Sequence, residues 1–74
     1  MAKVTKLNDF QQGVFYAAGL LVEWMDQPTY AADILKEAGL LESDVSELDE
    51  TEQLAMKKLM QQEPRRAKFT GFTV

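Results

Sequence analysis

A chain of 74 residues without cysteine or histidine is short for a domain that must close its own core, and it lacks the usual reinforcements. Disulfides are excluded, and a structural zinc site is disfavoured because zinc is held chiefly by thiolate and imidazole. The net charge of −4 is unevenly spread: residues 1–32 carry Lys3 and Lys6 against Asp9, Glu23 and Asp26 (−1), residues 33–52 carry Lys36 against eight acids (−7), and residues 53–74 carry Lys57, Lys58, Arg65, Arg66 and Lys68 against Glu63 (+4).

The opening residues Met1 to Leu7 contain no apolar core followed by a cleavage site, so no signal peptide is expected. The lack of cysteine fits a reducing, cytoplasmic compartment. Asn8 or Asp9 is suited to cap a first helix, since either side chain can accept from a free amide of the first turn. From Phe10 to Met25 only Glu23 is charged, which predicts a helix of about four turns that is apolar on nearly every side. Its uninterrupted apolar stretch, Gly13 to Val22, is about half the roughly 20 residues a membrane span needs. A buried helix with surplus apolar surface for a second chain is the expectation, and Phe15, Tyr16 and Trp24 are the candidate apolar contacts.

Gln27 and Pro28 end that helix, and Pro28 suits the first turn of the next. A second helix is predicted over about Thr29 to Ala38, with Tyr30, Ala31, Ile34, Leu35 and Ala38 on its core face. Gly39 follows as a left-handed cap, with Leu40 placed for the accompanying apolar contact. Ser43 is suited to start a short helical turn carrying Val45 and Leu48. Asp49, with Glu52 three residues on, then reads as an acidic variant of the capping box. The third helix places Leu48, Thr51, Ala55 and Leu59 on one line with Met56 and Met60 beside it, and Pro64 stops it. The expected architecture is all-α: a small bundle of three main helices plus a short helical turn over residues 1–63, followed by an extended basic and aromatic tail over 64–74.

Chemistry is hard to find in this pattern. No histidine or cysteine is present to serve as general base or thiol nucleophile, and the many carboxylates lie in solvent-facing helical patterns. The reading is of a non-enzymatic protein requiring no cofactor or metal. Residues 30–48 have a helix-turn-helix flavour, but a recognition helix there would bring Glu42, Asp44, Glu47 and Asp49 towards phosphates. The acidic run Glu42, Asp44, Glu47, Asp49 and Glu50 is a candidate electrostatic contact for a basic protein, against the plainer reading of a solvated face. In the tail, Arg65, Arg66, Lys68, Phe69 and Phe72 have the interleaving that lets rings stack on unpaired bases while cations meet phosphate. The same residues suit a protein contact, and a fold-back of Phe69 or Phe72 onto the helical core is the plainer alternative.

The segment from Phe15 to Gly39, with Tyr16, Ala17, Ala18, Leu20, Leu21 and Val22 before Asp26, Pro28, Thr29, Ala31 and Ala32, then Ile34, Leu35, Glu37 and Ala38, resembles small phage- and prophage-encoded proteins of unassigned function. That resemblance implies a bacterial or phage-infected cell and a role as an accessory or host-directed protein. Phage-encoded inhibitors of host defence complexes, anti-CRISPR proteins among them, are similar in size and acidity. The leading expectation is therefore an interaction protein, a homodimer through its first helix, that binds a host protein complex. A nucleic-acid-binding regulator using the tail and a structural subunit of a larger assembly are the competing readings. No membrane association is expected.

Overall fold

The computed structural model describes residues 7–74, which form three helices: α1 (Asp9–Glu23), α2 (Pro28–Glu37) and α3 (Glu50–Gln62). Each begins for a local reason. The Asn8 side chain accepts from the Gln11 amide at 2.8 Å while the Gln11 side chain accepts from the Asn8 amide at 3.0 Å, a reciprocal capping box. Pro28 occupies the first turn of α2, where its missing N–H costs nothing. Asp49 caps α3 by accepting from the Glu52 amide at 2.8 Å.

The chain reverses sharply between helices. The amides of Trp24 and Met25 both reach the Leu20 carbonyl, and α1 stops two residues short of Met25. Asp26 then adopts a left-handed conformation with φ of 53°. After α2, Gly39 takes φ of 71°, its amide bonds the Lys36 carbonyl, and the Leu40 amide bonds the Leu35 carbonyl. This is a Schellman cap, and Leu40 is buried as the motif's apolar contact.

Gly19 lies beside Ala55, and Glu23 pairs with Lys58 at 3.6 Å, so α1 and α3 run parallel. Thr29 near the start of α2 donates to Glu63 just after α3. The start of α2 thus lies by the end of α3 and directly follows the end of α1, so α2 runs opposite to the other two, and Asp33 meets Arg66 of the tail at 2.6 Å. The core is built from Phe15, Ala18 and Val22 of α1, Ala31, Ala32 and Leu35 of α2, and Ala55, Met56 and Leu59 of α3. Paired alanines let α2 lie close on α1. That rotates its buried face towards Ala32 and leaves Tyr30 and Ile34 exposed, contrary to their expected place in the core.

The interval between α2 and α3 is not the expected short helical turn. Residues 41–48 form hydrogen-bonded turns, among them Leu48 N–H to the Val45 carbonyl at 3.0 Å, and a single parallel bridge joins Asp44 to Thr70. Residues 64–74 run alongside this interval. The Lys68 amide bonds the Leu41 carbonyl, the Thr70 amide bonds the Ser43 carbonyl, and the Val45 amide bonds the Thr70 carbonyl, all between 2.8 and 3.0 Å. Ala67 and Phe69 are buried, and Phe69 meets Phe15 edge to face with ring centroids 5.8 Å apart.

One buried polar side chain locks this arrangement. Gln53 donates to the Leu48 carbonyl and to the Thr73 hydroxyl at 3.0 Å, and accepts from the Thr73 amide at 2.7 Å. A buried amide is stable only when its donors and acceptor are met, so Gln53 fixes both the approach to α3 and the course of the tail. Nearby, Gly71 has φ of 81°, and a methyl group added there would collide with the Asp44 carboxylate. Gly71→Ala is expected to cost about 1–3 kcal/mol through left-handed strain plus the clash. Thermal unfolding followed by circular dichroism should show the melting point falling by at least about 4 °C.

Candidate interaction surface

The buried stripe of α1 is formed by Phe15, Ala18, Gly19 and Val22. A helix with 3.6 residues per turn then directs Phe10, Gly13, Ala17, Leu20 and Trp24 to the opposite side. Asp9 and Glu23 flank this stripe, Glu23 lining the groove towards α3 beside Tyr16, Leu20 and Trp24. Phe10 is 73 % exposed, Tyr16 58 % and Trp24 81 %. Gly13 faces open space, and Leu20 is half-buried. A shallow groove runs between α1 and α3, lined by Tyr16, Leu20 and Trp24 on one wall and by Thr51, Glu52 and Ala55 on the other. Leu54 stands on the outer face of α3, 50 % exposed between Glu50 and Lys58.

The candidate apolar contacts therefore divide. Tyr16 and Trp24 lie on the exposed face, but Phe15 does not: it is 0 % exposed and its ring is spent on Phe69. The physical reason is register, since Phe15 and Tyr16 sit about 100° apart around the helix and only one can face outward. Phe10 and Leu54 belong to the exposed apolar surface and were not anticipated. The spacing of Phe10, Ala17 and Trp24 at intervals of seven, with Gly13 and Leu20 between, is a signal that identifies the outer stripe. Leu54 carries no such signal, because its exposure depends on where Gln53 and Ala55 are buried.

The acidic candidates divide as well. Glu42, Glu47 and Glu50 are exposed side chains. Asp49 is engaged as the α3 cap, and Asp44 accepts from the Ser46 amide at 2.9 Å and lies on the bridge to Thr70. Because α1 and α3 run parallel, Asp9, Asp49, Glu50 and Glu52 gather at one end of the molecule.

Among the tail candidates, Arg65 and Lys68 are exposed. Arg66 is held by Asp33 at 2.6 Å and Glu63 at 3.4 Å, and the hydrogen bond it donates to Asp33 raises its already high pKa. Phe69 is buried and is corrected from a contact residue to a core residue: the tail's backbone pairing with residues 41–45 turns that ring inward. Phe72 is half-buried, with the Lys57 ammonium 5.6 Å from its centroid. The tail's two rings and one of its three cations, Arg66, are thus engaged within the fold, while Arg65, Lys68 and much of the acidic end stay exposed.

Among the described residues, no helix is long and apolar enough to cross a membrane, and no cluster of three or more acidic or histidine side chains is arranged to hold a metal ion. No family model matches the chain, and neither a curated protein nor a solved structure is significantly similar to it.

The ionisation of Glu52, on the α3 wall of the groove, is disturbed. Burial raises its pKa above the ordinary 4.5, Asp49 adds repulsion, and a backbone hydrogen bond at Asp49 partly opposes both. A raised native pKa means the fold favours the protonated carboxyl. Its stabilising contribution is therefore complete below the ordinary value and is lost as pH rises through the native one. Glu52→Gln should melt higher than the native chain at neutral pH, and the two melting points should converge below about pH 4.5, which paired thermal scans across pH would show.

Proposed function

We propose that this chain is a non-enzymatic protein-interaction module that engages its partner through the outer face of α1, with the acidic end of the molecule selecting which partner approaches. The observation that carries this reading is the cluster of exposed apolar side chains, Phe10, Tyr16 and Trp24, on a helix whose opposite side already supplies the core. Exposed apolar surface of this kind is costly to keep in water, and rigid aromatic groups are the side chains that anchor interfaces. Glu42, Glu47 and Glu50 add a negative field that favours a basic surface and discourages an acidic one.

The resemblance of residues 15–39 to small phage and prophage proteins supports a bacterial or phage-infected cytoplasm as the setting. It makes an accessory protein or inhibitor of a host complex the favoured role. A structural subunit requires the same surface and differs only in what the partner does. The nucleic-acid reading is the weaker one, because Phe69 is unavailable for stacking and Arg66 is already paired.

Affinity capture from bacterial or infected-cell lysate tests the proposal. Trp24→Ser together with Tyr16→Ser should lose the captured protein while the helical circular dichroism is kept. Charge reversal at Glu42, Glu47 and Glu50 should weaken capture and diminish its dependence on salt. Capture untouched by both sets of changes would rule out this surface.

A further inference from the structure

We propose that the groove between α1 and α3 receives an arginine side chain of a protein partner. The rings of Tyr16 and Trp24 on the α1 wall and the Glu52 carboxylate on the α3 wall hold its guanidinium. This inference rests on the preceding reading of the α1 face as an interaction surface and names the chemistry that its edge accepts.

Small residues give the groove its floor. A methyl group built on Gly19 would stand 3.7 Å from the Ala55 Cβ, so the two helices approach closely with no large side chain between them. Larger neighbours raise the walls. Tyr16 lies three residues before Gly19 and Glu52 three before Ala55, so in parallel helices the two stand level across the groove. Trp24 comes from the C-terminal end of α1, and helical side chains lean towards the N-terminus, which returns its indole to the same groove.

Size points to a side chain as the occupant. The groove encloses about 270 Å³, below the roughly 300–1,000 Å³ of a small-molecule site. One side chain reaching in from a partner matches that space, whereas a cofactor overfills it.

Charge selects a cation. Among the described residues, Glu23 and Glu52 line the groove and no lysine or arginine does. Glu23 and Lys58 meet at 3.6 Å and offset each other, which leaves Glu52 as the carboxylate to be matched. No cation of the described residues lies within ion-pair distance of it. Partial burial and the neighbouring Asp49 both disfavour its charge, and an incoming cation offsets both. Asp9, Asp49 and Glu50 at the same end of the molecule add a negative field along the approach.

The aromatic wall selects arginine over lysine. A guanidinium is planar and weakly hydrated, stacks on rings, and can direct two N–H donors at one carboxylate. An ammonium is compact and strongly hydrated, so it loses more on entering a cleft lined by Tyr16, Leu20 and Trp24.

Trp24 is the only tryptophan, so its fluorescence reports on the groove in the full chain. The probes are short capped glycine–serine peptides with arginine, lysine or citrulline at the centre, citrulline keeping the shape of arginine without its charge. At millimolar concentration the arginine peptide should change Trp24 emission saturably and shift the Gly19 amide resonance. The lysine peptide should bind more weakly, and the citrulline peptide should do neither.

Glu52→Gln should weaken the arginine peptide about tenfold or more, the loss expected when a charged hydrogen-bond partner is removed. That variant is expected to melt higher at neutral pH, so lost binding is not lost folding. Tyr16→Ser should narrow the preference for arginine over lysine. Glu42→Gln, an acid outside the groove, should leave the affinity unchanged. No saturable response to the arginine peptide, equal binding of citrulline, or binding that Glu52→Gln leaves intact would overturn the proposal. If the peptides fail while the Tyr16 and Trp24 changes still abolish lysate capture, the interaction surface stands with a partner of other chemistry. If capture also survives those changes, both readings fall.

Discussion

The edge-to-face contact between Phe15 and Phe69 is the interaction on which the rest of the structure depends. Three helices of 15, 10 and 13 residues do not enclose a core by themselves, because one side of the triangle they form stays open. Phe69 fills that side. It can do so because the tail pairs with residues 41–45 and because Gln53 holds Thr73. Phe15 is thereby committed to the interior, which in turn fixes the rotation of α1 and decides that Phe10, Ala17 and Trp24 point away. The exposed apolar face is thus a consequence of how the core is closed.

The electrostatic layout follows from the same geometry. The basic C-terminal region contributes Lys58 to Glu23 and Arg66 to Asp33 and Glu63, so two of its five cations are used to tie segments of the fold together. Such partly exposed pairs contribute little stability individually. Their larger effect is on what the surface presents, since cations that tie helices together are less available to phosphate. The parallel arrangement of α1 and α3 also gathers acidic first-turn residues at one end, where they suit the helix N-termini.

Much of the fold was legible in the residues. Asn8, Pro28, Gly39 and Asp49 mark helix ends through local chemistry that needs no distant partner, and the structure places helix boundaries at each. What local pattern does not convey is rotation. Tyr30 and Ile34 share helical spacing with Leu35, yet the choice between them and Ala32 is made by how closely α2 can approach α1. The fate of residues 43–48 was equally hidden, because the backbone groups that a helical turn would satisfy are met instead by Thr70 and its neighbours, more than twenty residues away. In the candidate site, Tyr16 and Trp24 were accessible to sequence reasoning, while Phe15 and Phe69 were not separable from them without knowing that they meet.

The lateral pairing of the tail with residues 41–45 also sets the order in which the protein can be made. A nascent chain that has released residues 9–62 already contains the residues of all three helices, yet Phe15 has no ring above it and Gln53 has no threonine to grip. Short-range structure therefore precedes the contacts that make it cooperative, and those contacts join segments far apart in the chain, which slows their formation. On a ribosome, the core faces of the helices stay uncovered until residues 67–73 clear the exit tunnel, and during that interval those apolar surfaces are open to chaperones and to neighbouring chains.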